Sequence, residues 1–280
     1  MKVVRIIGGL GNQMFQYAFA RAMGDDVKLD ISAFKDYTLR GYQLENFNIV
    51  QNYADAPTVQ RLTRRSHMPR ILCRILGRST HPHIIRERTI NVYQPDLLSR
   101  DGLFDGYFQS EKYFAHIRPQ LLQEFSLRRP MDAANQEMLR RIQAQESPVS
   151  LHVRRGDYVN LSNVHFLCGP EYYRDAIDLI AARVKNPHFF LFSDDIDWVL
   201  ENIKILHPFT PVDINSGDAG YFDMELMKHC HHNIIANSTF SWWGAWLNQN
   251  PGKIVVAPRK WHRDNQNKEW DIFPDEWIVI

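Results

Sequence analysis

Between residues 149 and 256 the chain alternates short apolar runs with stretches of helical spacing, and this alternation limits its fold more than any other feature. Val149 to Val153, Phe189 to Phe192, Asn233 to Ala236 and Lys253 to Val256 read as strands. Glu171 to Val184, Asp194 to Glu201, Tyr221 to Cys230 and the segment opened by Thr239 read as helices. Strands separated by helices pair in parallel, because each crossover returns the chain to the edge where it started. The expectation is a doubly wound α/β sheet. In such a sheet ligands gather beyond the carboxyl ends of the strands, so the segments just after the strands are where chemistry belongs.

The first half is less regular. Val3 to Ile7, Val27 to Asp30 and Leu103 to Phe108 have strand character. Met14 to Met23 has helical spacing, Ser110 can cap a helix running to Leu121, and Asp132 to Gln145 predicts another. Ser32 to Gln94 is irregular, with helical candidates at Ala54 to Ser66 and Arg70 to Leu76. With 280 residues the chain suits two domains. Ser147-Pro148 marks the expected boundary, giving domains 1–147 and 148–280.

Lys plus Arg total 33 against 32 for Asp plus Glu, so bulk charge offers no argument for a nucleic acid partner. Cys73, Cys168 and Cys230 are too few and too scattered for a disulfide framework or a zinc pattern. They fit a reducing compartment, and no segment approaches membrane-spanning length, so a cytoplasmic protein is expected. Arginines interleaved with apolar residues from Arg61 to Arg78 are read as a solvated helix packing one stripe inward; a peripheral membrane contact is the competing reading.

Three strand exits carry the candidate site. His152-Val153-Arg154-Arg155-Gly156-Asp157-Tyr158 joins an arginine pair to a turn. The guanidinium fork matches phosphate oxygens, which suggests a clamp for a diphosphate; an Arg154–Asp157 ion pair that only ties the turn is the plainer reading. Asn237-Ser238-Thr239-Phe240-Ser241 opens a helix, where hydroxyls cap the free amides and the same amides can hold a phosphate. Trp242 and Trp243 are assigned to the core. Ser193-Asp194-Asp195-Ile196-Asp197 follows the strand Phe189 to Phe192. Its acids complement a helix N-terminus, and Asp194 could also accept hydrogen bonds from a nucleoside. Divalent metal on Asp195-x-Asp197 ranks below both readings. Asp223 and Glu225 could face a nucleotide edge, whereas His229, His231 and His232 match no zinc spacing.

Near the start, Gly9-x-Gly11-x-x-Met14, with Asp30 ending the next strand, almost reproduces a dinucleotide fingerprint. Met14 replaces the third glycine, and Asn12-Gln13 set amides where the pyrophosphate needs open backbone. A nicotinamide oxidoreductase using Gly9, Gly11 and Asp30 is therefore the alternative reading. A noncatalytic glycan-binding protein, resting on the many tryptophans and tyrosines, is a third.

Taken in order, Gly8 to Tyr17, Gly106-Tyr107-Phe108-Gln109-Ser110-Glu111-Lys112-Tyr113-Phe114, His152 to Tyr158, Phe192-Ser193-Asp194-Asp195 and Asn237 to Leu247 resemble the bacterial α-1,2-fucosyltransferases. The resemblance spans nearly the whole chain and is weakest over Ser32 to Gln94. It implies a GT-B architecture of two Rossmann-like α/β domains facing a cleft, and an inverting transfer of fucose from GDP-fucose to the 2-hydroxyl of a galactose-terminated glycan, with no metal required. It further implies that Arg154 binds the β-phosphate and that Asn12 approaches from the first domain. The expected catalytic set is Arg154, Asp157 and Asn12, with Asp157 as base candidate and Glu111 and Glu171 in reserve. The expected donor contacts are Gly11, Gln13, His152, Arg155, Asp194, Asp223, Asn237, Ser238, Thr239 and Ser241.

Overall fold

The structure, a computed structural model, describes residues 1–35, 41–66, 79–155, 167–262 and 270–280. The chain divides into two compact units, Met1–Ser126 with Glu269–Ile272 and Leu127–Lys268 with Phe273–Ile280.

The first unit is built on strands β1 (Lys2–Arg5), β2 (Lys28–Asp30), β3 (Ile84–Ile85) and β4 (Gly102–Phe104). They pair in parallel in the order β2-β1-β4-β3. Helix α1 (Leu10–Ala22) supplies the crossover from β1 to β2, and α2 (Ala56–Thr63) is capped by the Asp55 carboxylate on the Thr58 amide. Phe15 and Phe19 from α1 meet Phe104, Phe108, Tyr113 and Phe114 in a fully buried aromatic core. The helix expected from Ser110 to Leu121 is broken. Ser110 caps only a single 3-10 turn, Phe114 leaves helical geometry, and α3 (Arg118–Glu124) starts afresh with Pro119, which needs no amide partner in a first turn. Glu124 at its end accepts the Tyr17 hydroxyl at 2.7 Å and pairs with Arg21 at 3.0 Å, tying α3 to α1.

The second unit holds α4 (Ala133–Gln143), β5 (Ser147–Val153), α5 (Pro170–Ala181), β6 (Pro187–Ser193), α6 (Ile196–Asn202), β7 (Phe209–Val212), α7 (Tyr221–Lys228), β8 (His232–Ile234), α8 (Thr239–Leu247), β9 (Val255–Ala257) and β10 (Ile278–Val279). Its sheet runs β10-β9-β8-β5-β6-β7, with every pairing parallel. Side chains alternate across it. Val149, Leu151, Val153, Phe189 and Leu191 pack on Tyr173, Ala176, Ile177 and Ile180 of α5, whereas Phe190 and Phe192 pack on Met138 and Ile142 of α4 and on Leu226 and Met227 of α7. Both faces are covered, as all-parallel sheets require.

One expectation differs from this arrangement. Ser147 and Pro148 open β5, paired with Pro187 and His188, rather than marking a boundary. The division falls after Ser126, because Met138 and Ile142 bury the preceding helix in the second unit's core. The predicted helix at Arg70 to Leu76 lies outside the described residues. No helix among the described residues is long and apolar enough to cross a membrane.

Candidate active site

β5 lies between β8 and β6 and is buried along six of its seven residues, so a charged side chain can emerge only where the strand ends. It ends at Arg154. Arg154 Nη1 stands 2.8 Å from Asp194 Oδ2 at the exit of β6, and Asp194 Oδ1 accepts the Arg155 amide at 2.8 Å. One carboxylate thus fixes two consecutive residues and sets the direction in which the Arg154 guanidinium leaves the sheet. Asp194, expected as a nucleoside contact, is placed here as the partner of the arginine.

Arg155 is committed elsewhere. Its Nε lies 3.2 Å from Asp195 Oδ2, and its guanidinium carbon sits 3.8 Å from the centroid of the Trp198 ring, a cation–π stack. Asp195 in turn caps α6 by accepting the Trp198 amide. Arg155, expected as a donor contact, therefore braces α6, and the Asp195-x-Asp197 spacing has a local explanation. Trp198, unremarked in the sequence, is what separates the roles of the two arginines.

His152 faces the other helical layer, its ring centroid 5.7 Å from that of Phe240 in the first turn of α8. Its Nδ1 is buried without a hydrogen-bond partner, and burial pulls its pKa down to about 3. The imidazole is neutral at ordinary pH and adds no charge to this edge. Ser238 occupies the N-cap of α8 and is buried, but its side chain makes no capping bond. Ser241, expected at the donor, is buried and gives its hydroxyl to the Ser238 carbonyl at 3.3 Å. Asn237 is likewise internal: its Oδ1 accepts from the Cys168 thiol at 3.4 Å and its Nδ2 donates to the Trp261 carbonyl at 3.2 Å. Thr239 is partly exposed, and Trp242 and Trp243 are core, as expected.

Asp223, in the first turn of α7, is half-buried and accepts the Asn215 amide at 2.7 Å; Asn215 also bonds to the fully buried Asn135. Burial, helped by nearby Asp213, pushes its carboxyl up to about 7 in spite of that bond. Glu225 is not available to a nucleotide, because Lys228 pairs with it at 2.7 Å and His229 at 3.3 Å. His232 Nδ1 accepts the Ile254 amide. No group of three or more His, Cys, Asp or Glu among the described residues could hold a metal ion.

In the first unit the exits of β1 and β4 meet. Gly8 takes a positive φ of 80°, and a Cβ there would sit 3.0 Å from Asn12 Nδ2. Asn12 is partly exposed in the first turn of α1, and its Oδ1 accepts Gln109 Nε2 at 2.9 Å. Gly11 is buried within that turn. Gln13, expected at the donor, is a strut: fully buried, it donates to the carbonyls of Gly8 and Gly41 and accepts the Gln43 amide. Gln16 does the same for Ile7 and Gly106. Asp30 is buried, with one oxygen on Arg5 at 3.2 Å and the other on the Ser32 amide at 3.0 Å. It is buried and paired within its own unit, so the oxidoreductase reading loses an accessible acidic residue. Asp157 lies outside the described residues. Glu111 and Glu171 are found in the first turns of their helices.

The model for glycosyl transferase family 11 matches residues 1–280. The chain belongs to this family. It is 34% identical to an alpha-1,2-colitosyltransferase of Escherichia coli, over 99% of this chain and 98% of that protein. It is 33% identical to galactoside alpha-(1,2)-fucosyltransferase 2 of Gorilla gorilla gorilla, over 51% of this chain and 44% of that protein. Among solved structures, the fucosyltransferase NodZ from Bradyrhizobium shares the fold with a TM-score of 0.51 at 16% identity, over 86% of this chain and 91% of NodZ. The family 11 chain is thus a glycosyltransferase of GT-B type, each of its units an α/β layer structure on a parallel sheet. The oxidoreductase and glycan-binding readings are set aside.

The raised carboxyl of Asp223 has a consequence for stability. In the unfolded chain it titrates near 3.8, so as pH rises towards 7 the unfolded state releases a proton that the folded state keeps, and stability falls through that window. Asp223→Asn cannot ionise and should retain the Asn215 bond. Its melting temperature should match the wild type near pH 4 and exceed it progressively up to pH 8; a difference that does not vary with pH would show an ordinary carboxyl.

Proposed function

We propose that this glycosyltransferase moves fucose from GDP-fucose to the 2-hydroxyl of a galactose-terminated acceptor, with inversion at the anomeric carbon. The observation that carries the reading is Arg154, a permanent cation at the end of a buried strand, aimed by Asp194. In a single displacement the acceptor oxygen bonds to the anomeric carbon while the bond to the β-phosphate oxygen breaks, and the electron pair leaves with GDP. Negative charge grows on the phosphate, and a preoriented guanidinium is the group suited to meet it. The N-terminal turn of α8, with Ser238 and Thr239, adds the positive pole of a helix close to His152, two residues before Arg154. Asp223 is proposed to accept from the nucleobase edge. Asn12 is proposed to hold the transferring sugar.

Because arginine and helix supply the positive charge, a divalent ion is not required in this reading. The acceptor proton is assigned to Asp157, three residues beyond Arg154. One observation favours a second donor: the E. coli relative matched over 99% of the chain is a colitosyltransferase, and colitose is fucose lacking the 3-hydroxyl. Buried free thiols at Cys168 and Cys230 support a reducing, cytoplasmic setting. Cell fractionation separates that from membrane association through residues 61–78, of which 67–78 lie outside the described residues.

Purified protein incubated with GDP-fucose or GDP-colitose and a panel of galactosides should form an α-1,2 linkage, with chelator making no difference. Transfer to no galactoside, or from neither donor, overturns the reading. Arg154→Ala should lower turnover at least about a hundredfold while the melting temperature holds; near-normal turnover would remove the arginine from the mechanism. For the base, Asp157→Asn should abolish the acidic limb of the pH–rate profile, and an unchanged limb would eliminate it.

A further inference from the structure

Glu87 follows β3 in the first unit, in the stretch the sequence left irregular. Its Oε2 accepts the Tyr107 amide at 2.7 Å, and the Phe108 amide also supports its charge. Its Oε1 is buried without a hydrogen-bond partner. The other carboxylates at this sheet edge are neutralised by cations: Asp30 by Arg5, and Asp105 by Arg5 at 3.5 Å and Arg86 at 2.9 Å. Glu87 has only backbone amides, and its burial raises its pKa above the ordinary value. A carboxylate buried against amides alone is unfavourable to keep, so it is expected where something is gained from the turn it holds.

That turn is strained. Phe108 adopts a φ of 52°, a left-handed conformation that a bulky residue rarely takes. Two features hold it there. The Phe108 ring is fully buried and stacked on Phe19, with centroids 4.0 Å apart, and the amide of the preceding Tyr107 donates to Glu87. Gly106 completes the fit, since a Cβ there would come within 2.7 Å of Glu87 Oε2. Immediately beyond the turn stands Gln109, whose Nε2 donates to Asn12 Oδ1. Arg86 on Asp105 and Gln94 on the Arg88 amide anchor the segment that carries Glu87.

We propose that Glu87 is a positioning residue for the transferase reaction: its carboxylate clamps the Gly106–Gln109 turn, which sets Gln109 against Asn12 and so fixes the Asn12 side chain. The link to turnover rests on the role given to Asn12 above; the link from Glu87 to the turn does not. The chain of contacts runs Glu87, Tyr107 and Phe108 amides, Gln109, Asn12, and each step is a hydrogen bond or a single peptide unit.

Glu87→Ala, Glu87→Gln and Gly106→Ala test it. Glutamine retains a carbonyl that accepts the Tyr107 amide, so Glu87→Gln should keep turnover within about threefold of the wild type, whereas Glu87→Ala and Gly106→Ala should lower kcat about a hundredfold. GDP affinity, measured by calorimetry, should be unchanged in all three. Hydrogen exchange at the Tyr107 and Phe108 amides should speed at least about tenfold in Glu87→Ala and Gly106→Ala and stay protected in Glu87→Gln. Equal loss of kcat in Glu87→Gln with its amides still protected would overturn the proposal, because the charge and not the turn would then matter. Unaltered protection in Glu87→Ala overturns it too. If Glu87→Ala does not fold, the other two variants decide the question by the same readings. Should the wild type transfer neither sugar, the exchange data still report on the clamp, so failure of the function and failure of the clamp are told apart.

Discussion

A strand buried on both faces can carry charge only at its ends, and much of the second unit follows from that constraint. β5 runs through the middle of a six-stranded sheet whose pairings are all parallel, so every strand ends at the same edge. Leu151 and Val153 face one helical layer, and Ser150 and His152 face the other. An ionised group placed among them would lose its hydration with nothing to replace it. Arg154 is the first position past that limit, and the neighbouring strand puts Asp194 opposite it. His152, the one titratable group inside the buried run, obeys the same rule by staying neutral.

Neighbouring residues with the same chemistry end up with different duties because successive side chains point to different surroundings. Arg154 faces Asp194, while Arg155 lies on Trp198 and Asp195. Asn12 remains partly exposed, while Gln13 exhausts its amide on the backbone of Gly8, Gly41 and Gln43. Asp223 keeps a weakly paired carboxylate, while Glu225 is taken by Lys228 and His229.

The regular half of the fold was legible because strand and helix alternate there with long apolar runs. Strand β7 was not, since Pro208 and Pro211 interrupt its pattern, and β3 and β10 are two residues each, too short for any periodicity to register. The boundary was misjudged because Ser147-Pro148 looks like a break, yet proline is tolerated near the start of a strand, and Pro148 still accepts the His231 amide through its carbonyl. Among the candidate site residues, type alone could not show that Arg154 faces Asp194 while Arg155 lies on Trp198, or that Gln13 and Ser241 bond to the chain's own backbone. Glu87 was invisible for a further reason: its partners are backbone amides of Tyr107 and Phe108, twenty residues away in sequence, and nothing in a side-chain pattern announces them.

The ion pair between Arg154 and Asp194 also bears on how a leaving phosphate would be stabilised. A guanidinium presents five donors in a rigid plane, and one carboxylate engages only part of that fork. Its partner lies at the strand exit with about a quarter of its surface exposed, so the pair adds little to stability and its effect is to fix orientation. A cation already oriented needs no rearrangement as charge develops, and a donor placed in this way is worth about 3 to 4 kcal/mol in comparable sites. The helix pole at α8 adds typically 0.3 to 1 kcal/mol, and about 2 at most when partly buried. The neutral His152 adds no charge. In the proposed reaction, leaving-group stabilisation on this edge rests mainly on Arg154, which Asp194 orients.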